Sequence, residues 1–178
     1  MQKKQSASGL QDRIIIVRIS LILAHPDFNS FNHAIAEIVI EQLKKAGHEV
    51  FFHDLYRESF DPVLPGKEIS KDASLPPIIK EHCDEIAQAD GIIIIHPNWW
   101  GQPPAILTGW IDRVIRPGVA YEFLEGDSGE GVPHGLLKVK ASIVLNTANT
   151  EFQRQQWLSE VRAMVGSVFG PFSGDNKT

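Results

Sequence analysis

Three short segments of this chain hold side chains whose types and spacing suit a ligand with a phosphate at one end and a flat ring at the other. They are "AHPDFNSFN" (24–32), "HPNWWGQPP" (96–104) and "LNTANT" (145–150). In the first, Asn29, Ser30 and Asn32 stand where a helix-period pattern begins. Beside the open amides of a helix N-terminus they would cradle a phosphate, and they would serve equally as plain helix caps. In the second, Trp99 and Trp100 fall where the chain must turn, after four isoleucines and before Pro103 and Pro104. Gly101 would let a planar ligand approach the backbone. The tryptophans would then wall a flat aromatic site; the alternative is that they plug a core or a subunit contact. The third segment offers backbone donors and small polar side chains.

The elements that must position these segments alternate in type. Ile14–Ala24, Glu49–Leu55, Gly91–Ile95 and Lys140–Thr147 are continuous apolar runs, as expected of strands buried on both faces of a parallel sheet. A weaker fifth run spans Ser167–Phe172. Between them lie helical stripes. Phe31, Ile35, Ile38, Val39, Leu43 and Ala46 share one face of a helix capped by Asn29 or Ser30 and followed by Gly47. Ile79, Cys83 and Ile86 mark a second helix opened by Pro76 and Pro77. Pro103 and Pro104 open a third, and Trp157, Val161, Met164 and Val165 stripe a fourth. This alternation predicts an α/β fold, an open parallel sheet with right-handed crossovers. All three polar segments would then leave strands at the carboxyl edge, where such sheets bind ligands. Two long loops, Phe60–Pro77 and Glu122–Gly135, are of a length more often functional than idle.

Bulk properties narrow the class. At 178 residues the chain is read as a polar N-terminal extension, 1–13, and one domain, 14–178. Its 43% hydrophobic and 22% charged residues are ordinary for a globular protein. A net charge of −5 gives no basic footprint for nucleic acid. The single cysteine, Cys83, fits a reducing cytoplasm, and its register with Ile79 and Ile86 predicts a buried, inert thiol. Ile14–Ala24 is far short of the roughly 20 residues of a membrane helix, so a cytoplasmic protein without an integral membrane segment is expected. "GDSGEG" (126–131) lacks the spacing and preceding strand of a dinucleotide fingerprint. His82 and Cys83 are neighbours rather than i, i+4 partners, so no metal site is expected. His48 and His53 are expected only to flank a strand.

The segments "AHPDFNSFN", "ADGIIIIHPNWWGQPPAILTGWIDRVIRPGVAYEF" and "GLLKVKASIVLNTANT" together resemble the NAD(P)H:quinone reductase branch of the flavodoxin-like flavoproteins, over residues 14 to 150. The resemblance implies five parallel strands in the order 2-1-3-4-5, with helices on both faces. It also implies tightly held FMN or FAD, NAD(P)H as co-substrate, a quinone-type acceptor and a homodimer. Carried over by position, His25, Ser30, Phe31 and Asn32 would surround the flavin phosphate and ribityl chain. Pro97, Asn98, Trp99, Trp100 and Gly101 would follow the isoalloxazine ring. Asn146, Thr147, Ala148 and Asn149 would face its pyrimidine end, and Tyr121 and Phe123 would line the substrate side.

The chain also departs from that pattern. The tyrosine and histidine that some members carry after the fourth strand are missing from "TANTEFQRQQW", which leaves the catalytic acid unassigned, with His134 as a weak substitute. Only Ser173–Thr178 follow the fifth run, so the C-terminal helix that normally packs beside the first is expected to be absent, leaving a sheet face uncovered. Rival functions are an azo, nitro or flavin reductase, a flavin-binding regulatory subunit of a cation-efflux system, and an electron-carrying flavodoxin. The last lacks support, because the Ser/Thr-rich phosphate loop is missing.

Overall fold

A computed structural model of the chain describes residues 16–123, 133–148 and 154–170. Four parallel strands form the main sheet: β1 (Arg18–Leu23), β2 (Glu49–Asp54), β3 (Gly91–Pro97) and β6 (Ala141–Thr147), in the spatial order β2-β1-β3-β6. A separate antiparallel ribbon pairs β4 (Tyr121–Glu122) with β5 (His134–Gly135). In the main sheet Leu23 pairs with both Asp54 and Ile95, and Pro97 with Thr147, so the carboxyl ends of the strands lie level. β1 is central, and all its residues but Arg18 are buried, which explains why it reads as a continuous apolar run.

Two cores fill the two faces. On one, α1 (Phe31–Lys45) and α4 (Arg154–Phe169) set Ile35, Val39, Leu43, Val161, Val165 and Phe169 against Leu21, Leu23, Ile93 and Ile143. On the other, α2 (Pro77–Gln88) and α3 (Ala105–Val114) pack Ile79, Cys83, Ile86, Leu107, Trp110 and Val114 with Ile22. Burial pushes the Cys83 thiol up to about 11, consistent with an inert buried cysteine. The Phe60–Pro77 loop is pinned to α3. Arg113 makes a buried bidentate pair with Glu68 (Nη2 to Oε1 2.9 Å, Nε to Oε2 3.1 Å) and donates to the Asp61 carbonyl at 2.6 Å. Arg116 donates to the Glu68 carbonyl at 2.7 Å.

Three expectations are corrected. Ser167–Phe169 are the last turn of α4, not the start of a fifth strand, and no fifth strand of this sheet occurs among the described residues. The apolar positions Trp157, Val161, Val165 and Phe169 keep helical spacing through that run, and a short apolar run does not distinguish strand from helix. Met164, assigned to the buried stripe, is exposed instead. The helix expected to be missing beside α1 is therefore supplied by α4, which follows β6 directly and covers the face predicted to lie open. Gly91 permits this packing, because a Cβ there would collide with the Phe169 ring. No helix among the described residues is long and apolar enough to cross a membrane.

Candidate functional site

The three polar segments meet at the carboxyl edge of the sheet, and Thr147 joins them. Its Oγ1 and the Asn32 side-chain amide lie 3.0 Å apart, and its carbonyl accepts the Asn98 amide at 2.7 Å. One residue at the end of β6 thus ties the N-terminus of α1 to the loop after β3. Ser30, not Asn29, is the N-cap of α1: its Oγ accepts the His33 amide at 3.4 Å. Asn32 is 3% exposed, and Phe31 is half-buried with its ring 6.4 Å from Trp157.

After the buried Pro97, Trp99 and Gln102 exchange backbone hydrogen bonds of 3.0 and 2.9 Å around a two-residue turn. Both central residues are left-handed, Trp100 at φ 56° and Gly101 at φ 81°, as a type I′ turn demands. Gly101 is required for that conformation, not for space, since a Cβ there would meet nothing within 4 Å. Trp99 is 40% exposed with its ring 6.1 Å from His25, and Trp100 is fully exposed. A bulky side chain at positive φ, pushed into solvent, carries backbone strain of a kind that clusters at ligand sites.

Asn146 is exposed beside Thr147, opposite the buried His96, and Ala148 is also exposed. Asn149 lies outside the described residues. Tyr121 and Phe123 are brought together at the β4 end of the ribbon, ring edge to face at 5.9 Å. His134, exposed on β5, pairs with Glu122. The ribbon is a sheet of its own, paired with no strand of the main sheet.

Two histidine clusters escaped the sequence reading. In the first, His33 sits in the first turn of α1, 6% exposed, with Nδ1 2.9 Å from Ser30 Oγ and Nε2 2.9 Å from Asp54 Oδ2. Asp54, at the end of β2, also holds Arg57 Nε at 3.1 Å. The available signal was the i, i+3 spacing of His33 from the cap, but its partner Asp54 is 21 residues away.

In the second cluster His53, expected only to flank a strand, lies between two carboxylates. Its Nδ1 is 3.0 Å from Glu58 and its Nε2 2.6 Å from Glu85, and its ring stacks on His82 at 3.7 Å. Burial opposes a charge on His53, but the two carboxylates outweigh it and raise the imidazole above its usual value. For Glu58, burial pushes upward and is overcome by His53 and His82, which hold it at about 2. A groove of about 330 Å³ between β2 and α2 opens onto this cluster. His53, Glu58 and His82 are close enough together for a metal ion. However, Trp110 donates its indole N–H to His82 Nδ1 at 2.9 Å. An indole can only donate, so His82 Nε2 carries the proton and the lone pair a metal would need is engaged elsewhere.

Comparison with known proteins follows this geometry. The chain is 41% identical over 123 residues to an NAD(P)H oxidoreductase of Haemophilus influenzae, covering 67% of this chain and 58% of that one. It is 34% identical over 125 residues to NAD(P)H dehydrogenase [quinone] 1 of Cavia porcellus, covering 60% and 46%. The chain thus spans about half the length of the curated relatives it matches. Among solved structures, an NAD(P)H:quinone oxidoreductase from Methanothermobacter marburgensis superposes with a TM-score of 0.66 at 28% identity, over 88% of this chain and 79% of that one. A family profile described as flavodoxin-like fold matches residues 17–168. With that match over most of its length, and a parallel sheet whose loops converge at one carboxyl edge, the chain belongs to the flavodoxin-like fold family.

Proposed function

We propose that this protein is a flavin-dependent NAD(P)H oxidoreductase that reduces quinones or similar flat acceptors by two electrons. The observation that carries the proposal is the joining of the α1 N-terminus, the Trp99–Trp100 turn and the end of β6 through Thr147. The residues fit the group. An N-terminal helix end with Ser30 and Asn32 suits a phosphate, and two exposed tryptophans on a rigid turn suit a flat ring. FMN is the form proposed, with FAD as the alternative. His25, Ser30, Phe31 and Asn32 would hold the phosphate and ribityl end, and Pro97 to Gly101 the ring. Asn146, Thr147, Ala148 and Asn149 would face its polar edge with backbone donors.

When bound, flavin supplies the acceptance and donation of hydride, while the protein supplies binding, orientation and electrostatics. Trp99 and Trp100 would shield one side of the ring from water, and Tyr121 and Phe123 would orient the acceptor on the other. The catalytic acid is unassigned. A homodimer in the cytoplasm is part of the proposal. On α3, Leu107, Trp110 and Val114 are spent on the chain's own core and Arg113 on Glu68, which leaves Ile111, 39% exposed, as the apolar centre of a contact between copies.

The test is to release and identify the cofactor of purified protein by chromatography and mass, and to follow NAD(P)H oxidation with menadione. A yellow protein with about one flavin per chain and menadione-dependent turnover is expected. A colourless protein that takes up neither FMN nor FAD would overturn the proposal.

A further inference from the structure

We infer that His33 is a positioning residue for the anionic group bound at the N-terminus of α1, and that it takes up a proton when that group binds. The inference rests on the proposed flavin site and concerns how Ser30 reaches the phosphate.

The hydrogen-bond chain Asp54–His33–Ser30 has only two consistent proton arrangements. The Asp54 carboxylate can only accept, so His33 Nε2, 2.9 Å away, carries a hydrogen in both. With a neutral ring, Nδ1 then has a lone pair and the Ser30 hydroxyl donates to it across 2.9 Å. Ser30 has one proton, and its oxygen already accepts the His33 amide at 3.4 Å. Its hydroxyl therefore faces inward, and only an oxygen lone pair is left toward the mouth of the site, which repels an anion.

In the second arrangement Nδ1 is protonated and donates to Ser30 Oγ. The serine proton is released to point outward as a donor to phosphate. The imidazolium charge then lies between Asp54 and the anion, where it favours the bound state. Switching the ligand's serine contact on thus requires a proton on His33, and by linkage the ligand promotes its uptake.

The charged and titratable neighbours allow this. Asp54, 4% exposed, faces Nε2 with Oδ2 from the end of β2, and Arg57 Nε from the following turn reaches the same oxygen at 3.1 Å while its backbone amide donates to Oδ1 at 3.3 Å. From the loop after β1, the His25 ring approaches His33 edge-on at 6.4 Å, and its Nδ1 accepts the Asp27 amide at 3.1 Å. Asp27 spends Oδ1 on the Asn29 amide. Thr147, from β6, is uncharged. A histidine buried only to satisfy the cap would keep its protonation state when ligand binds.

The experiment is calorimetric titration of flavin-stripped protein with FMN, and with riboflavin as the phosphate-free control. Each is run between pH 7 and 9 in two buffers of different ionisation enthalpy. Wild type should take up one more proton per FMN than His33→Gln, and its FMN affinity should fall by up to about tenfold per pH unit relative to that variant. Riboflavin should show neither effect. The ¹⁵N spectrum of histidine-labelled wild type, before and after FMN, should show one ring pass from a neutral Nε2–H tautomer to the imidazolium. That reading needs no variant, so it decides the matter if His33→Gln does not fold. Equal proton uptake in the two proteins, or histidine spectra unchanged by FMN, would overturn the inference and leave the flavin site standing. Failure to bind either flavin would overturn the flavin site itself.

Discussion

Trp100 combines a left-handed backbone with a fully exposed indole. Either feature alone is unfavourable in a free chain, because the Cβ crowds the carbonyl at positive φ and the ring gains nothing from water. Asparagine tolerates this backbone. Trp100→Asn should therefore stabilise the flavin-free protein by about 1 kcal/mol, seen as a melting temperature higher by about 2–4 °C, while FMN binding weakens. Unchanged FMN affinity would show that the indole does not wall the ring. Asn32 acts differently, since its amide is engaged by Thr147 rather than turned outward. Asn32→Ala should cost about 0.5–1.5 kcal/mol of stability and weaken FMN several-fold by loosening the β6 loop, measured by urea titration and flavin fluorescence.

At the scale of elements, charge pairs lock loops onto helices. The His53 imidazole joins the end of β2 to α2 through Glu58 and Glu85. Because its value is raised, its contribution is full below the unfolded value of about 6.5 and is lost as pH climbs through the folded value. Glu58 is depressed, so it stabilises above about 4.5, and that part is lost as pH falls toward about 2. Urea midpoints should thus decline on both sides of the window between those two values. His53→Gln should flatten the alkaline decline and Glu58→Gln the acid one. Parallel curves for His53→Gln and wild type above pH 6.5 would show that the imidazolium is not held as described. The Arg113–Glu68 pair pins the long loop to α3 with both partners buried. Removing one partner leaves the other as a buried, uncompensated charge, so Glu68→Ala should cost about 3–5 kcal/mol, read from the urea midpoint.

For the whole molecule the decisive feature is α4. It closes the face over β3 and β6 that a chain ending in a fifth strand would have left open. The flavin-free protein should therefore not bind a hydrophobic dye such as ANS. Phe169→Ala removes a ring seated on Gly91 and should cost about 3–5 kcal/mol. Val165→Asp should produce ANS binding and an early melt. Dye binding by wild type at the level of that variant would mean that α4 does not cover the core.

Alternating apolar runs and helical stripes were enough to determine the α/β class and the four α-helices of the described residues, because burial periodicity is a local property of the chain. They also narrowed the cap of α1 to Asn29 or Ser30, and determined the proline-opened starts of α2 and α3 and the three segments that meet at the sheet edge. The resemblance carried by "PPAILTGWIDRV" and its neighbours added the family. What lay beyond reach depended on contacts between residues distant in sequence. Ser167–Phe169 are helical because Phe169 packs against Gly91, a partner that a six-residue apolar run does not reveal. Trp100 and Gly101 needed a measured φ to separate conformational demand from ligand clearance. His33 finds Asp54 through the pairing of β1 with β2, and His53 finds Glu85 through the docking of α2. Scattered histidines look idle in one dimension, and only the fold decides which carboxylate each one meets.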